Sequence, residues 1–206
     1  MPSSSKPETV DTIKKAIFLD RDGTISSDEF GYISDPALYK LYPFTGEALR
    51  LLQSLGYLLF IVTNQSGIAR GYFSLEQLEA VHSRMRELLA SEGVKLDKIF
   101  FSPYWKDGIV EPYNVNHEDR KPGLGMFKQA KEEFHFDTCH SWMLGDRYSD
   151  VAFGKKAGLK TILLLSGNGR EELTSDLKLK DYKPDYVTDD LLTAAKLIDL
   201  CQSHRI

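Results

Sequence analysis

Two carboxylates stand two residues apart in Asp20-Arg21-Asp22-Gly23-Thr24, where the apolar run Ala16-Ile17-Phe18-Leu19 stops. The run reads as a buried parallel strand over 16–20. Gly23 turns the chain at its carboxyl end, the edge at which open α/β sheets place their ligand sites. There the first carboxylate can attack phosphorus and accept a phosphoryl group, while the second protonates the leaving oxygen and later deprotonates water. A solvated turn rich in Asp and Gly is the alternative that these five residues alone leave open. Three further segments narrow the choice: Val62-Thr63-Asn64-Gln65-Ser66-Gly67 after a second apolar run, Arg120-Lys121-Pro122 before an amphipathic stretch, and Gly145-Asp146-Arg147-Tyr148-Ser149-Asp150 after residues 141–144. All four can meet at one sheet edge.

The elements between them read as alternating βαβ units. After the strand at 16–20 comes an irregular stretch to Phe44. The pattern predicts a helix over 45–55 with Ala48, Leu49, Leu52 and Leu55 on one face and Gly56 as its stop, then a strand over 57–63. Ser74 and Gln77 have capping-box spacing and open a helix to about Glu92, whose stripe is Leu78, Val81, Met85, Leu88 and Leu89. Strand 98–102, loop 103–122, helix 125–135, strand 141–145, helix 149–157 and strand 160–165 follow, then an edge strand at 184–187 and a last helix at 190–199. The predicted fold is a doubly wound, mostly parallel α/β sheet, Rossmann-like, with no separate cap domain.

Composition agrees. The chain has 206 residues, 42% hydrophobic and 27% charged, with a net charge of −4. That size suits a single domain over 13–206, preceded by a flexible segment over 1–12. The charge offers no basic surface for nucleic acid or an anionic membrane. Cys139 and Cys201, the two cysteines, make no metal or redox motif, so a reducing cytoplasm is the expected compartment. No apolar run approaches a membrane span and residues 1–11 lack a signal-peptide core. A monomer is expected.

Phe18 to Ile25, Val62 to Gly71, and Arg120-Lys121-Pro122 with Gly125-Met126 together resemble the motifs of the haloacid dehalogenase-like phosphohydrolases. The similarity runs from about Lys15 to Gly167 and is strongest to the heptose-bisphosphate and histidinol-phosphate phosphatase branch. It agrees with the physical roles: Asp20 as nucleophile, Asp22 as general acid/base, Thr63 and Asn64 hydrogen-bonding the transferring phosphoryl oxygens, and Lys121 neutralising their charge. Two carboxylates and a phosphate dianion repel unless a cation sits among them, and hard oxygen ligands select Mg²⁺. The resemblance implies Asp20, the main-chain carbonyl of Asp22, and Asp146 as its ligands. Asp150 can either stabilise a helix start or support the metal site from behind. Dehalogenases attack carbon and need no acid two residues after the nucleophile, so Asp22 points to a phosphate ester.

Specificity must then come from loops. The resemblance gives the segment Asp28 to Gly31 a part in binding sugar hydroxyls and Arg120 a part in recognition. Gln65, Ser66 and Arg147 are expected at the substrate, and Arg70 adds a cation nearby. Heptose and histidinol enzymes usually bind a structural Zn²⁺ in loop 102–121 through thiolates and imidazole. Here Ser102-Pro103-Tyr104-Trp105 and His117-Glu118-Asp119-Arg120 carry no thiolate, so that site is not expected, and packing by Tyr104, Trp105 and Tyr113 should shape the loop. His117 should brace the loop or face solvent. The expected substrate is a small sugar phosphate, D-glycero-D-manno-heptose 1,7-bisphosphate or a near analogue. Histidinol phosphate or another small metabolite is the enzymatic alternative. A sugar-phosphate-binding regulator or a phosphoacceptor signalling protein are the non-enzymatic ones.

Overall fold

The computed structural model describes residues 13–29, 31–174 and 181–203; the N-terminal segment expected to be flexible, 1–12, lies outside them. Six parallel strands form one sheet in the order β3-β2-β1-β4-β5-β6: β1 Lys15–Leu19, β2 Tyr57–Asn64, β3 Lys98–Ser102, β4 Trp142–Gly145, β5 Lys160–Leu164 and β6 Tyr186–Thr188. The helices are α1 Thr45–Ser54, α2 Leu75–Ser91, α3 Gly125–Glu133, α4 Tyr148–Ala157, α5 Gly169–Thr174 and α6 Leu191–Ser203.

Both faces of the sheet are covered, which is why its strands are continuous apolar runs rather than alternating ones. Ile17, Leu19, Leu59 and Ile61 point into a core completed by Leu49 and Leu52 of α1, Val81 and Met85 of α2, and Ile198 of α6. Ala16, Phe18, Leu58, Phe60 and Val62 point the other way, onto Met126 of α3 and Phe153 of α4. Phe18 meets Phe60 edge-on at 5.2 Å between ring centroids and Phe136 at 5.6 Å. Such pairs add to simple burial and fix the central strand laterally.

β1 pairs with β2 on one side, Leu19 opposite Ile61, and with β4 on the other, Leu19 opposite Leu144. The chain therefore leaves β1 toward one edge and returns through β4 to the other, and the carboxyl ends of β1 and β4 border a switch point. Asp20 N–H donates to the Leu144 carbonyl at 3.0 Å, which carries the pairing one residue beyond the strand.

The expected elements are present with ends displaced by a residue or a few. The capping box of α2 is formed: Ser74 Oγ accepts from Gln77 N–H at 3.3 Å, and Gln77 Oε1 accepts from Ser74 N–H at 2.9 Å. The edge strand lies at 186–188 rather than 184–187, because Asp185 turns its side chain back onto Thr161 N–H at 2.8 Å. α6 runs on to Ser203 rather than ending at 199, with Cys201 still packed on the core. α5 is too short to show a helical period, and the sequence pattern does not predict it. Between β1 and α1 the described residues form a turn of 3-10 helix, Pro36–Leu38, and isolated bridges joining Ser26 to Asp22 and to Leu41. The β2–β3 crossover contains α2 alone, so no cap domain is inserted there. Among the described residues, no helix is long and apolar enough to cross a membrane.

Candidate active site

The four polar segments converge where β1, β2 and β4 end. Lys121 is 3% exposed, and its Nζ lies 2.9 Å from Asp20 Oδ1 and 2.6 Å from Asp150 Oδ1. Burial pulls its ammonium down, but Asp150 and then Asp20 more than offset this and raise it, so the cation is secure. A lysine from a distant loop needs a mount. Asn64 supplies it: its Oδ1 accepts from Lys121 N–H at 2.9 Å and its Nδ2 donates to the Lys121 carbonyl at 3.1 Å. Both polar ends of Asn64 thus hold Lys121, a positioning part beside the phosphoryl contact expected from sequence.

Asp20, Asp146 and Asp150 form a buried triad whose ligand oxygens all lie within 4.8 Å of one another. Burial raises the Asp146 carboxyl, and the charges of Asp20 and Asp150 raise it further; burial raises Asp150 too, against the pull of Lys121. Among the described residues Asp146 Oδ1 is buried without a hydrogen-bond partner, while Oδ2 accepts from Asn168 N–H at 2.7 Å and Asn168 Nδ2 at 3.2 Å. An aimed, unpartnered carboxylate oxygen among hard oxygen donors suits a small divalent cation such as Mg²⁺. Gly23 is required here: at φ 82° it is in the left-handed region, and a Cβ would run into the Asp146 carboxylate. Asp150 does both things that its position allowed. Oδ1 meets Lys121, while Oδ2 accepts from Arg147 N–H at 3.0 Å at the start of α4.

A stability test follows. Asp146 is raised, so at neutral pH its ionised form destabilises the cation-free protein, and a neutral amide of the same shape removes that cost. Asp146→Asn should raise Tm in EDTA, by about 2–4 °C for each ~1 kcal/mol relieved at this chain length. Mg²⁺ should raise Tm of the parent and not of the variant. Calorimetry with and without Mg²⁺ checks both; a lower Tm for the variant in EDTA would contradict the assignment.

Asp22 is held from behind. Arg21 Nε donates to Oδ1 at 2.9 Å and Arg21 Nη2 to Oδ2 at 2.7 Å. Gln65 Nε2 bridges Asp22 Oδ2 at 3.0 Å and Thr63 Oγ1 at 2.8 Å. Gln65 therefore ties Thr63 to Asp22, a role that the sequence reading, which placed it at the substrate, did not contain.

A cavity of about 590 Å³ opens over these groups, and Asp20, Asp22, Thr63, Asn64, Gln65, Ser66 and Lys121 line it. Asp28, Gly31, Arg120 and Arg147 line it as well, as do Tyr32, Tyr148, Ser149 and Glu172. Asp28 Oδ2 accepts from Arg147 Nη2 at 3.1 Å and Asn168 Nδ2 at 2.8 Å, so Asn168 links the acidic triad to this rim. Tyr32 OH and Ser66 Oγ form a hydrogen-bonded pair at 3.1 Å. Sequence reasoning gave no role to Arg21, Asn168 and Tyr32: Asn168 and Tyr32 fall at no position of recognisable spacing, and the direction of the Arg21 side chain is not encoded in its place between Asp20 and Asp22.

Aromatic packing shapes the recognition loop. Tyr104 stacks on His117 at 3.9 Å and lies 5.9 Å from Tyr113, and Asp119 N–H donates to His117 Nδ1 at 3.2 Å. The guanidinium groups of Arg120 and Arg70 lie 4.5 and 4.7 Å from the centroid of Trp105. Arg120 also donates to the Tyr104 carbonyl at 3.3 Å but has no carboxylate partner among the described residues. Stacking restrains such a group while leaving its charge available.

A doubly wound parallel sheet with an Asp-x-Asp turn after its central strand, a buried Lys and an acidic triad defines a hydrolase of the haloacid dehalogenase-like class. The HAD-hydrolase-like family model matches residues 119–194. The chain is 43% identical over 153 residues to the D-glycero-β-D-manno-heptose-1,7-bisphosphate 7-phosphatase of Haemophilus ducreyi, covering 74% of this chain and 83% of the relative. It is 41% identical to the enzyme of the same name from Pasteurella multocida, over 90% of this chain and 97% of the relative. It is similar in structure, with TM-score 0.79 and 30% identity, to the D,D-heptose 1,7-bisphosphate phosphatase of B. bronchiseptica complexed with magnesium and phosphate, over 92% of this chain and 99% of that one. The chain belongs to the haloacid dehalogenase-like phosphatases, in the branch of these heptose-bisphosphate relatives.

Proposed function

We propose that the chain is a Mg²⁺-dependent phosphomonoester hydrolase that removes the 7-phosphate of D-glycero-D-manno-heptose 1,7-bisphosphate through an aspartyl-phosphate. The observation that carries the reading is one cavity joining the Asp20/Asp22 pair to the carboxylate-free cation of Arg120, a reaction centre for one phosphate and a charge for a second. The names of the relatives supply the sugar.

A carboxylate oxygen of Asp20 attacks phosphorus, the bond to the sugar oxygen breaks, and Asp22 gives that oxygen its proton. Asp22 then takes a proton from water, whose oxygen bonds to phosphorus as the Asp20–phosphorus bond breaks, releasing inorganic phosphate. Thr63 and Lys121 hold the phosphoryl oxygens and balance their charge throughout. Asp20, the main-chain carbonyl of Asp22, and Asp146 would hold Mg²⁺, which when bound neutralises charge on the phosphoryl group. Asp28, Gly31, Ser66 and Arg147 are placed to meet the sugar, and Arg120 its distal phosphate.

A panel of phosphate esters with Mg²⁺ tests the reading: both heptose-bisphosphate anomers, fructose 1,6-bisphosphate, histidinol phosphate and glycerol-type phosphates. The heptose substrate should give the highest kcat/KM, with ³¹P NMR showing the 1-phosphate retained. A preference for histidinol phosphate would overturn the sugar assignment and leave the chemistry standing. Arg120→Ala should weaken the bisphosphate selectively, by about ten- to a hundredfold in kcat/KM relative to a minimal ester, since a charge-assisted contact is worth ~1.5–3 kcal/mol. Equal losses on both substrates would remove Arg120 from recognition.

A further inference from the structure

Adjacent side chains in a turn ordinarily point apart, yet Arg21 and Asp22 close on each other in a two-pronged contact. Arg21 is 1% exposed, and among the described residues Asp22 takes every side-chain hydrogen bond that the guanidinium makes, while its third nitrogen, Nη1, is buried without a partner. The guanidinium sits 5.8 Å from the centroid of the buried Tyr39 ring. His82 of α2 feels the Arg21 charge: its imidazole is pushed down to about 3 by burial and then by the charges of Arg21 and Arg86, so it adds no second positive charge beside the guanidinium. A buried guanidinium requires a hydrogen-bonded counter-ion, and Asp22 is the carboxylate supplied. The planar fork fixes the plane of that carboxylate, which a point-charge ammonium cannot do. Gln65 adds a third donor and links the same carboxylate to Thr63.

We propose that Arg21 is a positioning residue for proton transfer: its buried fork, with Gln65, sets the orientation from which Asp22 reaches the leaving oxygen. The inference rests on the reading of Asp22 as general acid/base. Arg21 does not line the cavity and acts only through Asp22.

The test compares Arg21→Met, Asp22→Asn and the double variant on an alkyl phosphate and on p-nitrophenyl phosphate, whose leaving group needs no proton. Arg21→Met should lower kcat for the alkyl ester on the order of 10²-fold, the lower range for lost acid–base catalysis. KM should stay within about threefold and the aryl ester should lose less than about tenfold. The double variant should be no slower than Asp22→Asn, as expected of residues acting as a unit. Arg21→Lys should recover thermal stability without recovering the alkyl rate. If Arg21→Met fails to fold, Gln65→Met carries the test through a smaller loss of the same pattern. Equal losses on both esters, multiplied in the double variant, would reduce Arg21 to a structural part and overturn the proposal. Should Asp22→Asn itself show no difference between the esters, the reading of Asp22 falls; should Asp22→Asn discriminate between the esters while Arg21→Met does not, only the present inference falls.

Discussion

Asp20→Asn should abolish Mg²⁺-dependent phosphate release, with a loss of about three decades or more in kcat, because an amide cannot attack phosphorus. The fold should survive. Asn occupies the same volume, the Asp20 N–H bond to Leu144 is made by the main chain, and the strands on either side of β1 stay paired. Phosphate release under saturating Mg²⁺, with a circular dichroism spectrum matching the parent, checks both halves. Residual activity within about tenfold of the parent would exclude Asp20 as nucleophile.

Lys121→Met should be as damaging and differ in kind. It removes the cation that lies 2.9 Å from Asp20 and 2.6 Å from Asp150, leaving two buried carboxylates without their shared partner. Breaking a buried pair by deleting one member costs about 3–5 kcal/mol, so Tm should fall by roughly 10 °C at this chain length. Activity should fall on all substrates together, since the role proposed for Lys121 is toward the phosphoryl group and not the sugar. Adding Asp150→Asn should restore part of the stability and none of the activity. A Lys121→Met protein with unchanged Tm would mean that solvent reaches this ion pair in solution and that its burial is not what holds it. Selective loss on the bisphosphate alone would instead move Lys121 into recognition, beside Arg120.

The acids and the hydroxyl of the proposed reaction centre are legible in residue order alone. Asp20, Asp22 and Gly23 follow an apolar run, Thr63 follows another, and Asp146 follows a third, and short continuous apolar runs that alternate with helical patterns read as strands of a sheet covered on both faces. Strands brought into one parallel sheet put their carboxyl ends on one edge, so the acids and the hydroxyl meet by construction. The absence of thiolates in loop 102–121 was equally local, since ligand type is read directly from residue type.

How those groups are held is not legible there. Asn64 mounts Lys121 across 57 residues, and Asn168 reaches Asp146 across 22 and Asp28 across 140. No periodicity encodes such contacts, because each depends on where two loops end after the sheet has closed. The same is true of Trp105, which gathers Arg70 and Arg120 onto one ring although they lie 50 positions apart in the chain. Arg21 shows the division most sharply. Its identity and its place between Asp20 and Asp22 were legible from the segment Asp20 to Thr24. That its side chain would be buried and fork back onto Asp22 depended on Tyr39, His82 and the closed core, and burial converts a surface charge into a fixed, obligatory partner.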